Sequence, residues 1–247
     1  LSSHTARNSA IGLPAYPLME FYAKPARRFI EERGGVVRTK VRATVRTIGK
    51  RLVGVDIDGE CVPARTVISA VPWYAFPRLF EGRPTALASV MSSAEAMASS
   101  PIVTVNLWVD RQILSTPFVG LPGRSMQWVF DKQQILGAGV SHVTMVSSGA
   151  SNLLNRSNVE LIALAEKELR QVASDKAWRV SHASVIREPL ATFSLAPGQP
   201  NRPATVTAIN GVFLAGDWIQ TGLPGTIESA VVSGHRAADE TILSLTA

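Results

Sequence analysis

One cysteine, Cys61, and four scattered histidines, His4, His142, His182 and His235, are the whole supply of thiolate and imidazole metal ligands in this 247-residue chain. That scarcity excludes an intramolecular disulfide framework, favours a reducing compartment and leaves no Cys/His spacing that matches a metal centre, so no metal is expected. Apolar runs of the roughly 20 residues needed to cross a bilayer are missing, as is a basic-then-apolar leader at the start. Internal repeats and low-complexity linkers are missing too. So are basic patches interleaved with aromatics, which argues against nucleic-acid binding. What is present is 46% hydrophobic residues, enough for a sizeable core. A net charge of +6, from 25 basic and 19 acidic residues, keeps anionic membranes and phosphorylated cofactors open as partners. A soluble, cytoplasmic protein is expected, with peripheral contact at the inner membrane as the further expectation. Leu1 in place of Met points to a fragment or a processed product.

Apolar residues at Leu18, Phe21, Tyr22, Ala26, Phe29 and Ile30 recur at helical spacing, while Pro25 interrupts the ladder; two short helices meeting at Pro25 and ending at Gly34-Gly35 satisfy both. The following stretch, "VVRTKVRATVRTIGKRLVGVDIDGECVPARTVISAVP", predicts short strands with turns at Gly49 and Asp58-Gly59. Strand alternation puts Arg38, Lys40, Arg42 and Arg46 on one side of the first of these and Val37, Thr39, Val41 and Val45 on the other. A solvated face is the favoured reading of that basic stripe, and contact with anionic lipid is its alternative. From Pro101, "PIVTVNLWVD", "MQWVFDK" and "HVTMVSSG" predict an antiparallel sheet. "SNVELIALAEKELRQV" predicts a helix over one face of it, opened by a Ser157–Glu160 capping box and buried through Leu161, Leu164, Ala165, Leu169 and Val172.

The segment "VFLAGDWIQTGLPGTIESAVVSGHRAADE" concentrates the chemistry. Val212 to Ala215 is an apolar run suited to a strand buried on both faces, and ligands bind beyond the carboxyl ends of such strands. Gly216 there permits close backbone approach, and Asp217 suits sugar hydroxyls better than phosphates. A turn at Thr221–Gly225 leads into a helix whose predicted inner face is Ile227, Ala230, Val231, Gly234, Ala238 and Ile242. Its start favours negative charge, such as the N1 and C2-carbonyl edge of a reduced flavin. By spacing alone, an ordinary strand–turn–helix unit of an α/β protein explains the same residues.

"VFLAGDWIQTGLPGTIESAVVSGHRAA" resembles the C-terminal flavin-binding signature of the amine oxidase and phytoene desaturase superfamily. More narrowly it is similar to the squalene-associated FAD-dependent desaturases, or hydroxysqualene dehydroxylases. The resemblance extends through "GLPAYPLMEFYAKPARRFIEERGG", "VISAVPWYAF", "SPIVTVNLWVDRQIL", "PFVGLPGRSMQWVFDK" and "REPLATFS". It implies FAD as cofactor, with Gly216, Asp217 and Trp218 at the diphosphate and ribityl chain, Leu223, Pro224, Gly225, Thr226 and Ile227 beside the flavin ring, Ala43 near adenine, and Ser69–Pro72 running close by. It implies an isoprenoid substrate, to which Trp108, Trp128, Phe130 and Phe193 offer apolar area; each of them is equally an ordinary core residue.

Thr104 occupies the position where amine oxidases of the superfamily carry a lysine, which argues against amine oxidation. The implied reaction is reductive dehydroxylation of hydroxysqualene to squalene for hopanoid synthesis. A carotenoid desaturase and an inactive truncated chain are the alternatives. Asp110, Asp131, Glu188 and His142 are candidate acids among which the sequence does not choose.

The family opens with a βαβ unit bearing G-x-G-x-x-G; the nearest imitation here, Gly137-Ala138-Gly139, lacks the third glycine. The expected fold is therefore mixed α/β and α+β: a partial Rossmann-like FAD-binding domain without its N-terminal βαβ unit, residues 1–80 and 204–247, plus an antiparallel-sheet substrate domain, residues 81–203. Without that unit, affinity for FAD is expected to be weak.

Overall fold

The structure is a computed structural model that describes residues 12–137, 139, 141–173 and 175–246. His4, Leu1 and Ala138 lie outside the described residues. The chain folds as two compact units, one of residues up to Val37 with Pro101–Pro189, the other of Arg38–Ser100 with Leu190 onward. These divisions fall elsewhere than the sequence boundaries at 80/81 and 203/204. Leu87, Met91, Ala94 and Met97 share a core with Phe76, Phe193 and Trp218, which draws the 81–100 segment and the 190s into the second unit.

The chain enters through a π-helical turn, Met19–Ala23, that runs into helix α1, Lys24–Glu31, with Pro25 just past the junction, where the backbone passes from π to α hydrogen bonding. The two are continuous rather than separate helices. Gly34 (φ 78°) ends α1, and Gly35 N–H returns to Ile30 O at 3.0 Å.

The second unit begins with an antiparallel meander of β1 (Ala43–Ile48), β2 (Arg51–Ile57) and β3 (Glu60–Pro63). Its turns fall at Gly49 and at Asp58-Gly59, both of which take positive φ. The basic stripe read into the preceding residues does not form on a strand: Lys40 has φ 61° and β1 starts only at Ala43, so alternation does not apply before that point. Arg46, inside β1, bonds Asp56 at 2.6 Å. Strand β4 (Val67–Ser69) and helix α2 (Ala88–Ala96) follow.

The first unit is built on a five-stranded sheet of β5 (Ser99–Val109), β6 (Phe118–Gly120), β7 (Trp128–Asp131), β8 (His142–Ser148) and β9 (Val180–Phe193) in the order β6-β7-β8-β5-β9, with α3 (Lys132–Leu136) after β7. Helix α4, Asn158–Val172, opens with the expected Ser157–Glu160 capping box. Its Leu161, Ala165 and Leu169 bury one face of the sheet with Val103, Val105, Leu107, Val129, Val143 and Met145. The second unit closes with β10, Val212–Leu214, paired in parallel with β4, and α5, Ile227–Thr246. The face that α5 buries is Ser229, Ser233 and Ala237, while Ile227, Val231 and Ile242 of the expected inner face are exposed. Small hydroxyl side chains that bond the backbone next to β10 decide this orientation over the apolar period.

Leu169 has no exposed surface in the α4–sheet interface. Leu169→Ala is expected to destabilise the chain by about 2–5 kcal/mol through lost transfer energy and a residual cavity, read as a lower midpoint in urea with an unchanged slope.

Candidate functional site

β10 is buried at all three residues and delivers Gly216 to the end of the β4–β10 pair. Gly216 has φ 125°, a region closed to residues with a side chain, and an added Cβ would lie 3.1 Å from Trp218 Cδ1. Its N–H donates to Ser233 Oγ at 2.8 Å, and the same hydroxyl lies 2.8 Å from the carbonyls of Gly216 and Ala230. One turn back, Ser229 Oγ sits 2.7 Å from Thr221 Oγ1 and 3.2 Å from Asp217 O. Thr226 caps α5, accepting from Ser229 N–H at 3.2 Å. The remaining amides of the first turn lack intrahelical acceptors by construction.

Arg202 holds the loop from outside. Its Nη1 donates to Asp217 O at 3.3 Å and to Leu223 O at 2.7 Å, its Nε donates to Gln220 Oε1 at 3.2 Å, and its guanidinium lies 5.4 Å over the Phe193 ring. Trp218 turns inward: its indole donates to Val71 O at 3.0 Å and its ring packs against Phe76. Gly225 allows the closest approach of all. A Cβ there would stand 2.5 Å from Thr192 Oγ1, 3.0 Å from Phe193 Cε1 and 3.4 Å from Asp217 Oδ2.

The Asp217 carboxyl is pushed above the usual carboxylate range by burial, against the lowering effect of its own N–H, that of Trp218 and the Arg202 charge. Burial likewise lowers Arg202. At the end of β4, Ser69 Oγ is buried and without a partner among the described residues. Beyond the strand ends there are thus a half-buried carboxylate, an orphaned hydroxyl, a glycine backbone and the first turn of a helix. These donors and acceptors suit a polyhydroxylated ligand with an electron-rich edge, and the residues present fit a flavin nucleotide.

A family model for flavin containing amine oxidoreductases matches residues 19–242. The chain belongs to this family. FAD is the cofactor that membership brings. Among the relatives it matches, the hydroxysqualene dehydroxylase of Sinorhizobium fredii is 30% identical over 222 residues, covering 87% of this chain and 49% of that protein. The 15-cis-phytoene desaturase of Solanum lycopersicum is 24% identical over 230 residues, 87% of this chain and 39% of that protein. Among solved structures, an oxidoreductase from Methanosarcina mazei aligns with a TM-score of 0.66 at 16% identity, over 85% of this chain and 51% of that one, a likeness of fold. The chain spans about half or less of the length of these proteins.

Of the residues assigned to this site from sequence, Gly216, Asp217, Gly225 and Thr226 converge on the loop, Leu223, Pro224 and Ile227 are exposed along it, and Trp218 contributes its backbone while its side chain is core. Ala43 opens β1, exposed and opposite Ile57. Trp108, Trp128 and Phe130 share the uncovered face of the first unit's sheet, since Trp128 pairs with Val146, Phe130 with Thr144 and Trp108 with His142. Phe193 is in the second unit, buried against Trp73 and beside Gly225.

Sequence reasoning missed Arg202, whose Arg-Pro context carries no signal, and Ser229 and Ser233, whose i, i+4 spacing with Ala237 is a legible small-residue face. Among the candidate acids, Asp131 is fully buried as the cap of α3, accepting from Gln133 N, Gln134 N and Gln134 Nε2. Asp110 accepts from Arg179 N and from Arg111, and Glu188 is exposed. No three His, Cys, Asp or Glu residues gather into a metal cluster among the described residues.

Because Asp217 titrates above its unfolded value, its contribution favours folding below the unfolded pKa of roughly 3.9 and is lost as pH rises through the folded value. Asp217→Asn in the cofactor-free chain is therefore expected to raise Tm at pH 7, with the gain shrinking toward pH 4. Thermal unfolding of both chains across that range checks it, and an equal gain at every pH contradicts it.

Proposed function

We propose that this chain is the portion of an FAD-dependent oxidoreductase that carries the ribityl-side cofactor loop and the substrate sheet, acting on a long isoprenoid, with reductive dehydroxylation of hydroxysqualene to squalene in hopanoid synthesis as the reaction. The observation that carries this reading is the Gly216–Asp217 loop, with a half-buried carboxylate and the orphaned Ser69 hydroxyl at one strand end, in a chain with 30% identity to a hydroxysqualene dehydroxylase over most of its own length. The second unit takes the cofactor role and the first the substrate role.

When bound, reduced FAD would supply a hydride to the carbon that loses the hydroxyl, which would leave as water on taking up a proton from solvent. Asp217 accepts hydrogen bonds from the ribityl hydroxyls. Gly216, held by Ser233, keeps the backbone low enough for the chain of the nucleotide to approach. The first turn of α5 offers amides and the positive end of its dipole to the pyrimidine edge, and Leu223, Pro224 and Ile227 give apolar contact to the ring. The start of β1 at Ala43 serves the adenine end. Trp108, Trp128 and Phe130 supply apolar area for the isoprenoid. Phe193, under Arg202, supports the loop.

Likeness to phytoene desaturases supports a second reading, a desaturase using the same cofactor in the oxidative direction. We also infer peripheral contact with an anionic membrane through the segment around α1. It exposes Phe21, Phe29 and Ile30 beside Arg27, Arg28 and Arg33, and no helix among the described residues is long and apolar enough to cross a bilayer.

The native gene product, purified with its flavin and reduced, is expected to convert hydroxysqualene to squalene. Formation of conjugated polyenes from phytoene instead would favour the desaturase. Asp217→Ala is expected to weaken FAD retention about tenfold or more, the loss of charge-assisted hydrogen bonds, read by release of flavin absorbance on gel filtration. Sedimentation with anionic vesicles is expected to fall when Phe21 and Phe29 are both replaced by serine, and binding that persists unchanged rejects the membrane contact.

A further inference from the structure

The face of the first unit's sheet that α4 does not cover carries Trp108, Trp128 and Phe130 together with a cluster of polar residues. Asn106 on β5 and Thr144 on β8 stand directly opposite each other and are 9% and 7% exposed. Thr144 Oγ1 donates to Asn106 Oδ1 at 2.8 Å, and His142 Nε2 lies 3.1 Å from the same oxygen. With Thr144 Oγ1 donating, and His142 Nε2 as well in the tautomer that carries its proton there, Oδ1 is engaged on this side and the amide nitrogen faces the other way, toward β9. There its one contact is Ser184 Oγ at 3.5 Å, the limit of a hydrogen bond. A carboxamide nitrogen has two protons to give, and this one long bond uses one of them. His142 is held in place by stacking on Trp108, ring centroids 4.3 Å apart and 9° from parallel. Burial, then the charge of Lys132, lowers its pKa.

Burying such a group is unfavourable by a few kcal/mol unless something bonds to it. A sheet face that needed only to pack would carry valines here, as the opposite face does at Val103, Val105 and Val143. Of this cluster, Thr144 lines a cavity of about 260 Å³ together with Phe130, Val146, Leu13, Tyr16 and Leu18. Lys132 and Thr144 aside, the named lining is apolar or aromatic. The space is smaller than the roughly 300–1,000 Å³ that encloses a whole ligand, so it takes a segment of a longer one.

We propose that Asn106, Thr144 and Ser184 form the binding site for the single hydroxyl group of an isoprenoid alcohol, the feature by which this sheet distinguishes an alcohol from a hydrocarbon of the same length. The inference rests on the reading of this face as the substrate surface. An alcohol oxygen accepts from the free Asn106 N–H while its own proton goes to Ser184 Oγ or to the lone pairs of Thr144 Oγ1; an anionic group has no proton to give, and a hydrocarbon leaves the amide unused. His142 is a positioning residue that keeps Asn106 Oδ1 engaged and its nitrogen turned outward.

Equilibrium binding of hydroxysqualene and of squalene to the flavin-loaded native gene product tests this, read by quenching of tryptophan fluorescence. Wild type is expected to prefer the alcohol. Thr144→Val and Ser184→Ala are each expected to weaken alcohol binding about fivefold to tenfold, with squalene binding changed less than about twofold and Thr144→Ser restoring the preference. Asn106→Leu is expected to abolish the preference, and unchanged squalene affinity shows that this variant is folded. Equal losses for both ligands, or a wild type that binds them equally, overturn the hydroxyl site and leave the isoprenoid reading standing. A wild type that binds neither ligand while retaining its flavin overturns both.

Discussion

The loop after β10 depends on hydroxyl groups that replace apolar contact between a helix and a strand. Ser233 and Ser229 sit one turn apart on α5 and bond to the backbone of Gly216 and Asp217. Such bonds need the helix closer to the strand than leucine or isoleucine would allow, and they need Gly216 at a φ that only glycine tolerates. Burial at this loop raises the Asp217 carboxyl, and its own N–H, that of Trp218 and the Arg202 charge do not offset it. A carboxylate in that state is unfavourable for the fold and suited to a ligand that brings its own hydrogen-bond donors.

The two units solve a shared problem differently. In the first, α4 seals one sheet face with ordinary aliphatic packing, and the other face keeps aromatic rings around a small polar centre. In the second, the aromatic residues are the core: Trp73, Phe76 and Trp218 pack together, and Trp218 ties the loop to the segment just after β4 through Val71. Aromatics that look alike in sequence thus serve as open surface on one unit and as foundation on the other.

Local chemistry was legible and long-range bonding was not. The meander turns at Gly49 and Asp58-Gly59, the Ser157–Glu160 capping box and the buried β10 run are each specified within a few residues, and each is found where the sequence places it. The face of α5 was misread because the apolar period at Ile227, Val231 and Ile242 is strong, whereas what orients the helix is a pair of serines bonded to residues some 12 to 17 positions away. The basic stripe before β1 was misread because a lysine with positive φ breaks the alternation. Arg202 reaches Leu223, 21 residues on, a relation no local pattern encodes. Within the candidate site, Gly216, Asp217 and Gly225 were legible from their residue types, and the scaffold that aims them was not.

Arg202 bonds the carbonyls of both Asp217 and Leu223. The loop therefore has no loose end from which to peel: freeing either side strips hydrogen bonds from the same guanidinium and uncovers the Phe193 ring beneath it. Opening becomes one concerted event, so exchange of whatever the loop encloses is governed by a barrier rather than by gradual fraying.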